Sequence, residues 1–196
     1  MRIMGMAVMM VAAAGSLWAG VRPAESRQLT VCMESVAGTA NLFIENEARI
    51  VASSIFAGIG VQIQWRGPRK CPSEAIYISF SSEIPAGVHA SALAYALPYE
   101  GTHIVVFLDR VKQSSAGSAI GCLLGYTLAH EVTHILEGIA RHSESGIMKA
   151  RWEAADYFDM KGGRLGFAAE DVNLIYRGLD PLGSPLAVSA SGAPME

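Results

Sequence analysis

The spacing of apolar side chains changes several times along the chain, and each change predicts a different element. Residues 41–58 carry apolar side chains at helical spacing, which predicts an amphipathic helix because those positions share one face. Residues 61–66 alternate apolar and polar side chains, the period of a half-buried strand. Residues 28–34 and 75–80 are predicted as two further strands. The first part of the chain is thus expected to form β, α, β, β.

Two more strands are predicted before the second long helix. Residues 103–107 include three consecutive β-branched or aliphatic side chains, a composition that favours a strand. Residues 88–97 are mostly small, alternate weakly and end before Pro98, which predicts an edge strand because proline cannot donate to a sheet ladder. The strands therefore come as a block ahead of the second helix.

Two helices complete the pattern. Residues 118–138 are strongly apolar on both sides of a short polar motif, which predicts a buried helix, and residues 168–178 predict a final helix. The economical architecture is α+β: a mixed, mostly parallel twisted sheet of about five strands backed by two helices. A small C-terminal subdomain with the final helix is expected to follow the second helix.

The two ends of the chain differ in composition from its middle. Residues 3–14 are almost wholly apolar and are followed by small residues, as in a secretory signal peptide. This run is shorter than the roughly 20 residues that a membrane-spanning helix needs. We expect residues 1–19 to be a cleaved signal peptide, with an uncleaved inner-membrane anchor as the alternative, and the protein to be secreted or periplasmic. Residues 179–196, rich in Pro, Ser, Gly and Ala, predict a disordered tail.

Length, charge and cysteine content narrow the class of protein. The chain has 196 residues and a formal net charge of -3, so a single domain over residues 20–178 is expected and a nucleic-acid partner is not. A monomer with no stable membrane partner is expected if the signal peptide is removed. The chain contains three cysteines, and an oxidising compartment favours one disulfide. A bridge between Cys32 and Cys71 is preferred, with Cys122 left in the second helix.

The second helix contains the residues with the clearest chemistry. His130, Glu131 and His134 form the pattern HExxH, which on a helix directs two imidazoles toward one metal ion and leaves a carboxylate beside it. Zinc in hydrolytic sites usually has three protein ligands and one open position, so a third ligand is required. His142 can return to the metal if the helix ends at Gly138, and Glu153 on a later helix is the alternative.

The segment HEVTHILEGIARH, followed by SGIM at residues 145–148, resembles the metzincin clan of zinc peptidases. The resemblance implies a third ligand at His142 and a methionine-containing turn, with Met148 beneath the imidazoles. The usual clan motif is HExxHxxGxxH, whereas here Gly138 comes one residue late and His142 two residues late. The changed spacing leaves Glu153 and Asp156 as alternative ligands.

The resemblance also covers the strands before the motif and implies a mechanism and a substrate groove. One catalytic Zn²⁺ would activate a water molecule, with Glu131 as the general base. An extended peptide would pair with the edge strand, and the residues expected to contact it are Ala92, Leu93, Ala94 and Tyr95. Tyr95, Tyr99 and Tyr157 are candidate extra hydrogen-bond donors, although packing roles are expected for them.

The sequence thus predicts a secreted zinc endopeptidase that acts on proteins or peptides. Two alternatives use the same residues: a non-catalytic zinc-dependent peptide-binding module, and a zinc amidase acting on cell-wall peptides. The intact Glu131 argues against a pure binding module, because metal retention alone does not need that base. The amidase differs only in the amide bond that is cut, which the sequence does not specify.

Overall fold

The computed structural model describes residues 27–97, 99, 101–115 and 119–183. The predicted signal peptide, residues 1–19, lies outside the described residues, as does most of the predicted tail, residues 184–196. Within the described part of the chain, no helix is both long and apolar enough to cross a membrane.

The elements are numbered in chain order. The strands are β1 (Arg27–Met33), β2 (Val61–Arg66), β3 (Ile76–Phe80), β4 (Ala94–Ala96) and β5 (His103–Val106). The α-helices are α1 (Thr39–Ala57), α2 (Leu108–Ser114), α3 (Ile120–Glu137), α4 (Ala154–Lys161) and α5 (Ala169–Gly183), and a short 3₁₀ turn covers Pro68–Lys70.

The strands form one five-stranded sheet in the order β2-β1-β3-β5-β4. Strands β2, β1, β3 and β5 are parallel to one another. Strand β4 pairs antiparallel with β5 at one edge, with Tyr95 opposite Val105. The predicted α+β fold with a mixed, mostly parallel sheet is therefore confirmed. The position of β4 at the edge also agrees with the expectation from its small residues.

The core lies between the sheet and the two long helices. Fully buried side chains come from the inner strands and from both helices, including Val31, Ile78, Ile104, Phe56, Leu124 and Leu128. Helices α1 and α3 pack closely because α3 presents glycine to α1: a Cβ at Gly125 would overlap the side chain of Val51. Helix α3 is consequently buried along most of its length, which holds its polar motif inside the molecule.

A disulfide joins Cys32 in β1 to Cys71 in the loop after β2, with a Cα–Cα distance of 5.7 Å. It closes a separation of 39 residues, and a cross-link of this kind stabilises a fold mainly by restricting the unfolded chain. Cys122 in α3 keeps a free, half-buried thiol.

Four elements differ from the sequence-based expectations. Helix α2 was not predicted, and the sequence indicates a helix near Glu153 only as the source of an alternative ligand, because each of these helices has fewer than three turns and is too short to show a clear period. Strand β4 is shorter than the predicted strand over residues 88–97, since residues 85–92 form turns. Helix α5 continues to Gly183, so residues 179–183 of the predicted tail are helical.

Candidate metal centre

Helix α3 places His130 and His134 side by side on one face. The Nε2 atoms of the two rings are 3.1 Å apart, as expected for residues one turn apart on a helix. Both residues are buried, at 8% and 7% exposed, because the helix itself is enclosed by α1, α5 and the sheet. Two imidazole nitrogens thus face one point from inside the fold.

The outer nitrogen of each ring is held by a backbone carbonyl. His130 Nδ1 donates to the carbonyl oxygen of Ile147 at 2.9 Å, and His134 Nδ1 donates to that of Ile139 at 3.3 Å. A carbonyl only accepts, so Nδ1 carries the proton in both rings, and in the neutral form Nε2 presents a lone pair. Carbonyl partners of this kind orient the imidazoles that ligate metals.

The chain turns back toward these rings directly after α3. Gly138 adopts the left-handed conformation, with φ 67° and ψ 15°, and ends the helix. The turn brings His142 to the same point: one nitrogen of each of the three histidines lies within 4.8 Å of the others. His142 is exposed, so the group opens to solvent on that side. Three histidines are therefore placed to hold a metal ion.

The alternative ligands make other contacts. Glu153 caps the N-terminus of α4 and lies 3.7 Å from Lys149. Asp156 accepts a hydrogen bond from the backbone of Glu153 and forms an ion pair with Lys149 at 2.7 Å. The structure therefore brings His142, rather than either carboxylate, to His130 and His134. One extra residue lies before Gly138, within α3, and the other lies in the loop between Gly138 and His142.

The donor set fits a metal such as zinc. The lone pairs of two Nε2 atoms 3.1 Å apart repel each other unless a cation lies between them. Tetrahedral zinc with Zn–N bonds of about 2.0 to 2.1 Å requires a nitrogen–nitrogen separation of about 3.3 to 3.4 Å, which is close to the separation of these two atoms. Burial lowers the pKa of His130 to about 3 and that of His134 to about 4, and the neighbouring histidines add to both shifts. Protons therefore do not compete for these nitrogens at neutral pH.

The segment after His142 forms a tight turn that contacts His130 through the Ile147 carbonyl. The backbone N–H of Ser143 donates to the carbonyl oxygen of Met148 at 2.8 Å, and Gly146 adopts φ 75° beside the backbone of Gly166. Met148 is 1% exposed, and its neighbour Ile147 provides the carbonyl that holds His130. Residues 143–148 thus form a methionine-containing turn next to His130, and the placement of Met148 beneath the imidazoles stays a prediction.

Glu131 lies beside the histidines on the side that faces the edge strand. It is 8% exposed, and the backbone N–H of Ala96 in β4 donates to its carboxylate. Burial raises the pKa of Glu131 to about 8, and the Ala96 hydrogen bond partly offsets this shift. A carboxylate with a raised pKa can accept and release a proton near neutral pH.

The backbone groups of Ala94 and Ala96 in the edge strand point away from β5, although the N–H of Ala96 is already bonded to Glu131. The carbonyl oxygen of Leu93 accepts from the N–H of Phe107 at 2.9 Å, and backbone groups alternate in direction along an antiparallel strand. Tyr95 therefore bonds to β5, while Ala94 and Ala96 direct their backbone groups outward. The carbonyl of Ala92 accepts from the Arg110 side chain at 2.9 Å. Of the four predicted substrate contacts, only Ala94 offers an outward backbone.

The candidate tyrosines differ in position. The hydroxyl of Tyr99 accepts a hydrogen bond from the backbone N–H of Ala140 at 3.3 Å. This bond links the β4–β5 loop to the segment between α3 and α4 that carries His142, called the ligand loop below. The ring of Tyr95 packs against Phe107 with centroids 5.8 Å apart. Tyr157 lies on α4 and packs against the hydrophobic core. Only Tyr99 of the three is shown in contact with the ligand loop.

Two supporting residues were missed by the sequence analysis. The indole N–H of Trp152 donates to the same Ile147 carbonyl that holds His130, at 3.1 Å, and its ring packs edge-on against that imidazole at 5.7 Å. Asp171, 0% exposed, accepts hydrogen bonds from both neighbours of His142, Arg141 and Ser143. Neither lies at a fixed spacing from HExxH, so no sequence pattern marked them.

The fold, but not the sequence, is similar to that of a known protein. It resembles an archaemetzincin from Methanopyrus kandleri with a TM-score of 0.54 and 13% sequence identity, over 80% of this chain and 98% of that chain. At this identity the likeness is one of fold alone. No family model matches the sequence, and no curated protein matches it.

Proposed function

We propose that the protein is a zinc-dependent peptidase in which His130, His134 and His142 hold one zinc ion and Glu131 is the general base. The observation that supports this most strongly is the cluster of three histidines, each with one nitrogen within 4.8 Å of the others, on and after a helix that also carries the buried Glu131 carboxylate next to His130. The archaemetzincin-like fold supports the same proposal. A site for metal retention alone would have no use for that carboxylate.

Zinc, when bound, would lower the pKa of a water molecule and polarise the substrate carbonyl. Glu131 would accept the proton of that attacking water on a carboxylate oxygen and later donate it to the nitrogen of the leaving amine. Its low exposure suits this exchange, because burial raises the pKa of the carboxyl from its ordinary value in the metal-free protein and so strengthens it as a base. The carbonyls of Ile147 and Ile139 keep the Nε2 atoms of the two helical histidines aimed at the metal.

The substrate proposal follows from the edge of the sheet. An extended peptide could add a strand by pairing with the outward backbone groups of Ala94 and the outward carbonyl of Ala96. Ala96 also bonds to Glu131, so a peptide bound there would run past the general base. Proteins or peptides are therefore the proposed substrates. We also propose a secreted or periplasmic monomer; the disulfide between Cys32 and Cys71 is compatible with an oxidising compartment.

The proposal is tested by peptide cleavage with a matched pair of variants. The purified protein, Glu131→Gln and Glu144→Gln are incubated with a peptide library, with zinc and with a chelator. We expect zinc-dependent cleavage by the wild type and by Glu144→Gln, which changes an exposed carboxylate in the ligand loop. Glu131→Gln should retain zinc and lose at least about 100-fold in rate, the lower range for a general base.

Three outcomes would contradict this function. Undiminished cleavage by Glu131→Gln would exclude that residue as the base. Zinc binding and peptide affinity without turnover in the wild type would favour the binding module. Cleavage of cell-wall peptides alone, with no cleavage of the general library, would favour the amidase.

A further inference from the structure

The loop that carries His142 lacks the support that the two helical histidines have. His130 and His134 lie on a buried helix and donate to backbone carbonyls. His142 is exposed, and no hydrogen bond to its ring is present among the described residues. Its position must therefore be fixed through the residues on either side of it.

Both neighbours of His142 bind the same buried carboxylate. Arg141 Nη2 donates to Oδ1 of Asp171 at 2.6 Å, and the Ser143 hydroxyl donates to the same oxygen at 2.5 Å. Oδ2 of Asp171 accepts from the backbone N–H of Ala168 at 3.2 Å. Asp171 is 0% exposed, and both of its oxygens are occupied, so the cost of burying this charge is offset by charge-assisted hydrogen bonds.

Asp171 is itself held at a fixed place relative to the metal centre. It lies in the first turn of α5, where the helix dipole favours a carboxylate. Helix α5 packs directly on α3: a Cβ at Gly178 would overlap the carbonyl oxygen of Leu136, two residues after His134. The backbones of the two helices therefore meet, and α5 connects α3 to the ligand loop.

Arg141 also lies near two other acidic residues, but its contact with Asp171 is the shortest of the three. Its Nε is 3.7 Å from Glu137, and its Nη1 is 3.6 Å from Glu170. Only the Asp171 contact has hydrogen-bond length, and only Asp171 also binds Ser143. Loss of Glu170 or Glu137 would leave the link between Ser143 and α5 intact, whereas loss of Asp171 would break both links.

We infer that Asp171 is a positioning residue for the metal centre: by binding Arg141 and Ser143 together, it presents His142 to the metal. This inference rests on the proposed three-histidine zinc site. It accounts for how a third ligand that comes two residues later than in the usual clan motif still reaches the metal, since the loop is tied to α5 on both sides of His142.

The test measures zinc affinity by competition with a chromophoric chelator, for the wild type, Asp171→Asn and Asp159→Asn. Asp159 pairs with Arg164 at 2.9 Å on the exposed surface, so its variant also removes an Asp–Arg pair. We expect the Kd for zinc to rise about 10- to 100-fold in Asp171→Asn, as is typical when a partner of a ligand is lost, and to stay unchanged in Asp159→Asn. An unchanged Kd in Asp171→Asn overturns the inference.

A second pair of variants covers the case in which Asp171→Asn fails to fold. Ser143→Ala removes one hydroxyl, whereas Ser145→Ala changes an exposed serine in the same turn. Ser143→Ala should raise the Kd for zinc by about 5-fold, the equivalent of one hydrogen bond, and Ser145→Ala should not. Equal affinities in the two variants would contradict the inference.

Cobalt spectroscopy separates positioning from general destabilisation. The visible absorption of the Co²⁺-substituted protein reports the ligands around the metal. It should change in Asp171→Asn and Ser143→Ala and remain that of the wild type in Asp159→Asn. Wild-type spectra in all variants would overturn the positioning role. These readouts are independent of catalysis: a wild type that binds zinc without cleaving peptides would end the proposed function and leave this inference standing.

Discussion

At the scale of single residues, the metal centre depends on how each titratable group is buried. His130 and His134 are neutral at pH 7 because burial lowers the pKa of both. Glu131 is affected in the opposite sense, because burial disfavours its charged form. The same burial that prepares two imidazoles for a metal thus prepares a carboxylate to carry a proton.

This burial predicts how the stability of the metal-free protein depends on pH. The pKa of Glu131 is about 8 in the folded protein, above the ordinary value of 4.5, so the folded state holds its proton while the unfolded state loses it. The contribution of Glu131 to the free energy of unfolding is fully present below about pH 4.5. It decreases as the pH rises toward 8, by at most about 1.4 kcal/mol per pH unit.

Urea denaturation in the presence of a chelator measures this effect at pH 5.5, 6.5 and 7.5. The side chain introduced by Glu131→Gln cannot ionise, so this variant does not lose stability in the way that the wild type does. The free energy of unfolding of the variant minus that of the wild type should therefore increase with each rise in pH. Glu144→Gln, which changes an exposed carboxylate, serves as the control and should follow the wild type. Parallel curves for Glu131→Gln and the wild type would refute the raised pKa.

At the scale of elements, the close contact between α3 and α5 depends on Gly178. Replacing glycine by alanine inside a helix ordinarily stabilises it by about 1 kcal/mol. At Gly178 the added Cβ would overlap the carbonyl of Leu136, so the two backbones would have to separate. We therefore expect Gly178→Ala to destabilise the fold, by about 1 to 3 kcal/mol.

Thermal and urea unfolding of Gly178→Ala and Gly166→Ala compare the two cases. Gly166 has open space where its Cβ would lie and a negative φ, so its variant should change stability little. A stabilised Gly178→Ala would show that α3 and α5 are not in backbone contact, and would remove the fixed reference on which the positioning role of Asp171 relies.

At the scale of the whole molecule, the sequence predicted the sheet, the two long helices and the helical part of the metal centre. These features follow from local periodicity and from HExxH spacing, which are properties of neighbouring residues. The α+β architecture, with β4 at the edge, followed from the order of strands and helices.

The remaining features depend on contacts between distant parts of the chain. Asp171 and Trp152 reach the site only because α5 and the turn after His142 pack against α3. The choice between His142 and Glu153 depended on how a lengthened loop folds, which spacing alone does not determine. The outward backbone of Ala94 and Ala96 depended on hydrogen-bond register, and one residue of shift exchanges the two sides of a strand.

The most direct test of the central claim is the zinc content of the purified protein, measured for the wild type, His142→Ala and Glu153→Ala. Three converging histidines predict one zinc per chain in the wild type and in Glu153→Ala, whose changed side chain caps α4. His142→Ala should lose the metal or bind it far more weakly. Zinc retained at wild-type affinity in His142→Ala and lost in Glu153→Ala would contradict the three-histidine centre.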